Sequence, residues 1–274
     1  MEVVCVGDCG IDYYLPAGES LFGGITANFA RHANDAFPDG DVVRIVSCTG
    51  DDEGAGIVRS ALAGTGIDCH LTRLSGQTPV QYIEIEDNGE KRFVRYDEGV
   101  LRDFRFAVEQ KKIIGNSDLM VAPVYLQIVG VFDELMSIDT RGQVSVDFAD
   151  FLQHPDFGLL EKYIHRIDIG FFGLTLADKD AMDRIRLLAS RHRKLFVVTL
   201  GESGSRSFFN DDCFESPAVS VNEVIDTTGA GDAYAAGFLS RYCHGASIEE
   251  SMHCGSALAA KVVAQIGSYN QSRK

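Results

Sequence analysis

The chain has 274 residues, 45% of them hydrophobic and 24% charged, the composition of a folded globule rather than a disordered segment. Forty acidic residues against 25 basic ones give a formal net charge of −15. That balance excludes a general nucleic-acid partner and disfavours an anionic membrane surface, because both require basic patches.

The first residues, MEVVCVGDCG, have no basic run and only a short apolar one, so they do not read as a secretion signal. No stretch approaches the roughly 18 consecutive apolar residues of a membrane span. Seven cysteines, an odd number with no C-x-x-C pair, read as reduced thiols packing as small apolar residues in a cytoplasmic protein. The sequon Asn270-Gln271-Ser272 then carries no meaning.

In chain order, Glu2 to Val6 predicts a short buried strand ending at Gly7-Asp8. Gly23-Gly24 precedes an Ala-rich helix from Ile25 to Ala36. Val42 to Cys48 predicts a strand, followed by a helix with the stripe Ile57, Val58, Ala61 and Leu62, closed by Gly64 and Gly66. This alternation is that of a parallel α/β sheet. From Thr78 to Val100 the period changes. Gln81 to Glu86 and Lys91 to Tyr96 alternate with period two around Asp87-Asn88-Gly89, which predicts a hairpin projecting from the sheet. Strands are then predicted at Leu119–Ala122, Val144–Phe148, Ile167–Phe171 and Lys194–Leu200, with a helix from Ala177 to His192. The tail predicts two helices, one starting near Gly231 and one from about Ile248 to Ile266 with the capping box Ser247 to Glu250. With no repeat or linker, the chain reads as one domain carrying an inserted lid.

Three constellations carry chemistry. In Asp226-Thr227-Thr228-Gly229-Ala230-Gly231-Asp232, small residues at a helix start leave backbone N–H groups bare, forming an anion site at the positive end of the helix dipole. Asp232, one residue further, suits a base that takes a proton from a hydroxyl attacking a bound phosphate. The same heptapeptide also reads as a tight turn with a capping Asp. Gly23-Gly24, Asn28 and Asp12 combine close backbone approach with the mixed donors and acceptors that hydroxyl groups require, although Gly-Gly before a helix also reads as a plain turn. Val198-Thr199-Leu200-Gly201-Glu202-Ser203-Gly204-Ser205 reads as a strand end and Gly-rich turn, placed to touch a nucleotide or simply to join two strands. Walker, dinucleotide, nucleophile-elbow and zinc motifs are absent. His32 and His253 lie near the site helices without a partner pattern.

In this order and spacing, the three constellations resemble the ribokinase-like (PfkB) carbohydrate kinase family over nearly the whole chain, including Val6-Gly7-Asp8 and Gly50-Asp51-Asp52-Glu53-Gly54. The segments Gly7 to Tyr14, Tyr96 to Val100, Asp147 to Asp150 and Gly255 to Lys261 are similar to members acting on fructoselysine-like sugar–amino-acid conjugates. The resemblance implies a three-layer α/β/α sandwich, with a mainly parallel central sheet and a small β lid built from residues 11–24 and 77–100. It implies ATP and Mg²⁺, Asp232 as catalytic base, and the amides of Gly229, Ala230 and Gly231 as the anion hole. Asp12, Gly23, Gly24 and Asn28 match sugar-binding positions, with Glu98 a lid candidate. Thr199, Gly201 and Gly204 match the nucleotide loop, and Cys254 and Ala257 the adenine pocket. Asp226 and Thr228 lie where some members bind a monovalent cation such as K⁺.

One departure stands out. The family's N-x-x-E on the loop after Ile167–Phe171 is replaced by Phe172-Gly173-Leu174-Thr175-Leu176-Ala177-Asp178. Asp147, Asp178 or water then takes over its part in holding Mg²⁺, or catalysis is weakened. The expected activity is phosphorylation of a primary hydroxyl of a sugar or sugar conjugate. The alternatives are a kinase of another sugar or a nucleoside, and a catalytically impaired binding regulator. The lid hairpin serves either to pair with a second copy or to cover its own site.

Overall fold

The computed structural model describes residues 1–149, 151–152 and 155–269. Asp150 and the Asn270-Gln271-Ser272 sequon lie outside the described residues. The strands are β1 (Glu2–Val6), β2 (Gly10–Tyr14), β3 (Glu19–Gly23), β4 (Val42–Thr49), β5 (Asp68–Arg73), β6 (Val80–Ile85), β7 (Lys91–Asp97), β8 (Leu119–Pro123), β9 (Gln143–Phe148), β10 (Ile169–Gly173), β11 (Leu195–Thr199), β12 (Ser205–Phe209) and β13 (Asp212–Ser216). The helices are α1 (Ile25–Ala36), α2 (Glu53–Leu62), α3 (Val108–Gly115), α4 (Val129–Leu135), α5 (Phe157–Tyr163), α6 (Lys179–His192), α7 (Ala230–Tyr242) and α8 (Ile248–Val262).

Nine strands form the main sheet in the order β13-β12-β11-β10-β9-β8-β1-β4-β5. Those from β11 to β5 run parallel, and β12 and β13 add an antiparallel edge. The central strands are apolar and β-branched because both faces are covered. Side chains alternate across β1, so Val4 and Val6 enter one core with Ile114, Phe132, Leu160 and Ile185, while Val3 and Cys5 enter a second with Phe29, Val58, Phe238 and Met252. Two cores flanking one sheet make the expected three-layer sandwich. β1 lies between β8 and β4, so the chain order reverses there and leaves a crevice beyond the carboxyl ends of these strands.

A second sheet, β3-β2-β6-β7, stands apart from the first. It joins the predicted hairpin (β6 and β7) to an N-terminal hairpin (β2 and β3), through parallel pairing of β2 with β6. The periodicity did not announce β2, β3, β5 or β13.

Two boundaries differ from expectation. Arg166 and Ile167 donate to the Tyr163 carbonyl and so close α5, which delays β10 to Ile169. α8 stops at Val262 rather than Ile266, because the Val263 carbonyl turns to accept the amides of Ile225 and Asp226. All seven cysteines are free thiols; Cys5, Cys9 and Cys48 are buried as expected, but Cys69 and Cys213 are exposed. Among the described residues no helix is long and apolar enough to cross a membrane.

Candidate active site

The loop leaving β1 delivers Asp8 to the start of α1. Its carboxylate accepts the amides of Ile25 and Thr26, each at 3.0 Å, supplying the cap that the N-cap residue Gly24 lacks. Gly24 sits at φ +99°, a conformation open to glycine. A Cβ on Gly23 would strike the Asp12 carboxylate, so this glycine lets the Asp12 side chain lie against the β2–β3 hairpin.

One turn into α1, Asn28 reaches across to α7. Its side-chain nitrogen donates to Asp232 Oδ2 at 3.1 Å, and both residues are buried. α7 approaches α8 closely because its face is small: a Cβ on Gly237 would lie 2.9 Å from the Cys254 carbonyl oxygen. The small-residue stretch after Asp232 is therefore explained by helix packing. The head of α7 is different. Gly229 at φ +78° is the N-cap and offers no side chain, and the Ala230 amide bonds to the Thr227 carbonyl. The Ala230 amide, expected in the anion hole with those of Gly229 and Gly231, is thus engaged, and the next two amides, Gly231 and Asp232, are the ones with no acceptor within the helix. A Cβ on Gly231 would meet nothing within 4 Å, so the side-chain position beside these donors is open. This cradle fits an anion.

The electrostatics are dominated by buried aspartates. Burial, then Asp147 and Asp8, push the Asp232 carboxyl well above the usual range, while the Asn28 donor and Lys91 oppose the shift. Burial pushes Asp147 up to about 7, with Lys91 opposing and Asp8 adding to the shift. Burial, then Asp8 and Asp226, push Asp12 up to about 8, again against Lys91. Asp8 is raised by burial and lowered by the amides it caps. The charge of Lys91, at the start of β7, therefore opposes the shift at three of these carboxyls.

Asp226 is fully buried and accepts hydrogen bonds from the Tyr14 hydroxyl at 2.6 Å and from the amides of Gly267 and Thr228, each at 2.8 Å. Ser268 fills the space beside Gly229 and hydrogen-bonds to His32 Nε2 at 3.0 Å. Desolvation lowers His32 to about 4, which makes it a neutral support of this corner.

Contacts thus link the expected residues in pairs: Asp12 lies against Gly23, Gly24 against Asp8, Asn28 bonds to Asp232, and Asp226 accepts the Thr228 amide. Glu98 follows the last strand of the small sheet and pairs with Arg102 at 3.1 Å; among the described residues no hydrogen bond joins it to Asp12 or Asn28. Thr199, Gly201 and Gly204 line the turn between β11 and β12. Gly204 is at φ +88°, where a Cβ would strike the Ser216 carbonyl. Cys254 and Ala257 are half-buried on α8. Among the described residues no hydrogen bond or ion pair joins these five residues to the carboxylate cluster.

Of the two carboxylates expected to replace the missing motif, Asp178 is committed elsewhere: it accepts the Thr175 amide at 2.8 Å and the Thr175 hydroxyl at 2.5 Å. Asp147, at the carboxyl end of β9, faces Asp232. Among the described residues no cluster of three or more His, Cys, Asp or Glu makes a metal cage. The residues that sequence reasoning passed over are Asp8, Tyr14, Lys91 and Ser268. Asp8 alone had a local signal, a lone acid after a buried strand.

Residues 170–274 match the family model described as pfkB family carbohydrate kinase. The chain is 27% identical over 266 residues to fructoselysine 6-kinase of Shigella flexneri, covering 96% of this chain and 98% of that one. Among solved structures, adenosine kinase from Sinorhizobium meliloti superposes with a TM-score of 0.84 at 23% identity, covering 98% and 96% of the two chains. Arabidopsis thaliana ribokinase complexed with ribose and ATP superposes with a TM-score of 0.77 at 19% identity, covering 97% and 93%.

Proposed function

We propose that the chain is a kinase of the PfkB carbohydrate kinase family, whose model matches residues 170–274, and that it transfers a phosphoryl group from ATP to a primary hydroxyl of a sugar or fructoselysine-like sugar–amino-acid conjugate. One observation carries the reading. Asp232 is a buried carboxyl held by Asn28 at the head of a helix whose free amides lie beside an open side-chain position.

Asp12 and Asn28 take hydroxyls of the acceptor, and the Gly23-Gly24 backbone lets it approach. Asp232 accepts the proton of the attacking hydroxyl, and the amides of Gly231 and Asp232 hold the developing negative charge. The small sheet excludes water from the site. Thr199, Gly201 and Gly204 cradle the nucleotide from one side, with Cys254 and Ala257 at the base. Mg²⁺ arriving with the nucleotide supplies neutralisation of phosphate charge, and Asp147 is the side chain placed to hold it through water. The chain's net charge of −15 favours an acceptor bearing an amine over a neutral sugar.

The protein works in the cytoplasm. A second copy is the partner its outer lid strand suits, since β7 is an edge strand that leaves Phe93 and Val94 exposed; sedimentation checks this.

A panel of neutral sugars, Amadori compounds and nucleosides, read by ATP consumption, tests the proposal. Turnover with a sugar or conjugate, fastest with an amine-bearing one, is expected. Turnover confined to nucleosides would move the protein to the nucleoside branch. Tight binding with no turnover on any acceptor would make it a regulator.

A further inference from the structure

Tyr14 and Lys91 belong to the small sheet, yet both end at residues 226–228, the loop that leads into α7. The Tyr14 hydroxyl donates to Asp226 and adjoins the Thr228 side chain. With the amides of Gly267 and Thr228, three of the roughly four lone-pair directions of this carboxylate are engaged. Thr227 is gripped in the same way. Its carbonyl accepts Lys91 Nζ at 3.0 Å, its hydroxyl accepts the Lys91 amide at 3.2 Å, and its amide donates to the Gly89 carbonyl at 3.1 Å.

The sequence pointed to a monovalent cation at this corner. Such an ion needs a shell of bare oxygen lone pairs. Here the Asp226 carboxylate meets hydrogen-bond donors, and the Thr227 carbonyl meets an ammonium and the Ala230 amide. Thr228 Oγ1 is buried without a hydrogen-bonding partner among the described residues, but one hydroxyl does not make a shell. The donor set therefore does not fit the ion.

We propose that Tyr14 and Lys91 are positioning residues that hold the anion-hole loop in place of a bound monovalent cation, so that seating of the small sheet sets the loop. Asp12 lies two residues before Tyr14 on β2 and shares its face. An acceptor held at Asp12 thus steadies the strand that carries Tyr14 to Asp226. This last link rests on the kinase reading; the cation claim does not.

Two measurements test it. Thermal melts of the intact chain in KCl and in choline chloride at equal ionic strength give the same midpoint if protein donors already fill the corner. A K⁺-specific rise that grows with concentration overturns the proposal whatever the activity proves to be. In steady-state kinetics, Tyr14→Phe and Lys91→Met lower kcat about tenfold or more while the acceptor KM stays within about threefold, because the loop acts on the transferring group. An unchanged kcat in both variants overturns the positioning role.

Discussion

The side-chain amide of Asn28 on α1 donates a 3.1 Å hydrogen bond to the carboxylate of Asp232 on α7, joining residues 204 positions apart. The bond favours the ionised form of a group whose pKa burial and two neighbouring aspartates raise. Asn28→Ala therefore moves the acidic limb of the kcat/KM profile to higher pH and lowers kcat/KM about ten- to a hundredfold, the worth of a hydrogen bond to a charge. A pH profile of the variant beside the parent checks both.

Two glycines in the same turn respond in opposite ways. Gly229 combines φ +78° with a Cβ position filled by Ser268, so Gly229→Ala costs about 1–3 kcal/mol of stability. Gly231 has ordinary backbone angles and open space. Gly231→Ala keeps or slightly raises the melting midpoint, because Ala is favoured over Gly in a helix by about 0.5–1 kcal/mol. It nevertheless places a methyl beside the amides and raises the KM for ATP about tenfold. Melting curves and ATP titrations separate the two.

Stability depends on pH in a direction set by the buried carboxyls. Asp12 and Asp147 are raised to about 8 and about 7 in the folded chain, from 3.8. Between those values the folded chain keeps protons that the unfolded chain has released, so stability falls as pH rises and levels off above the folded values. The ligand-free melting midpoint should drop from about pH 5 to about pH 8, and Asp12→Asn should flatten the slope. A midpoint that climbs through this window would contradict the assignment.

Asp147 and Asp178 are distinguished by removal. Asp178 closes its own turn with Thr175 at the surface, so Asp178→Ala lowers the melting midpoint only slightly and leaves kcat within about twofold. Asp147→Ala raises the Mg²⁺ concentration needed for half-maximal rate and lowers kcat about a hundredfold. Mg²⁺ titrations of both variants check the contrast.

The sandwich was legible because its signals are local. β-branched runs such as Val42 to Cys48 and stripes such as Ile57 to Leu62 mark their own elements, and Gly229-Ala230-Gly231-Asp232 marks its own helix head. β2 and β3 were not legible, since Gly10 to Gly23 mixes glycines, tyrosines and acids and becomes a sheet only by pairing with β6. For the same reason Tyr14 and Lys91 went unnoticed. Their partners lie 212 and 136 residues away, and nothing near either residue announces them. Asp147 drew attention through a family-like segment and the absence of N-x-x-E, not through its neighbours, because Asp8, Lys91 and Asp232 come from three distant segments.

The central claim is that Asp232 takes the proton of the acceptor hydroxyl. Asp232→Asn preserves shape and removes a buried carboxyl whose ionisation is costly, so the variant should fold with an equal or higher melting midpoint at neutral pH. Its kcat for the best acceptor of the panel should fall about 10²–10⁴-fold. A folded Asp232→Asn protein that phosphorylates that acceptor at near the parent rate would contradict the account.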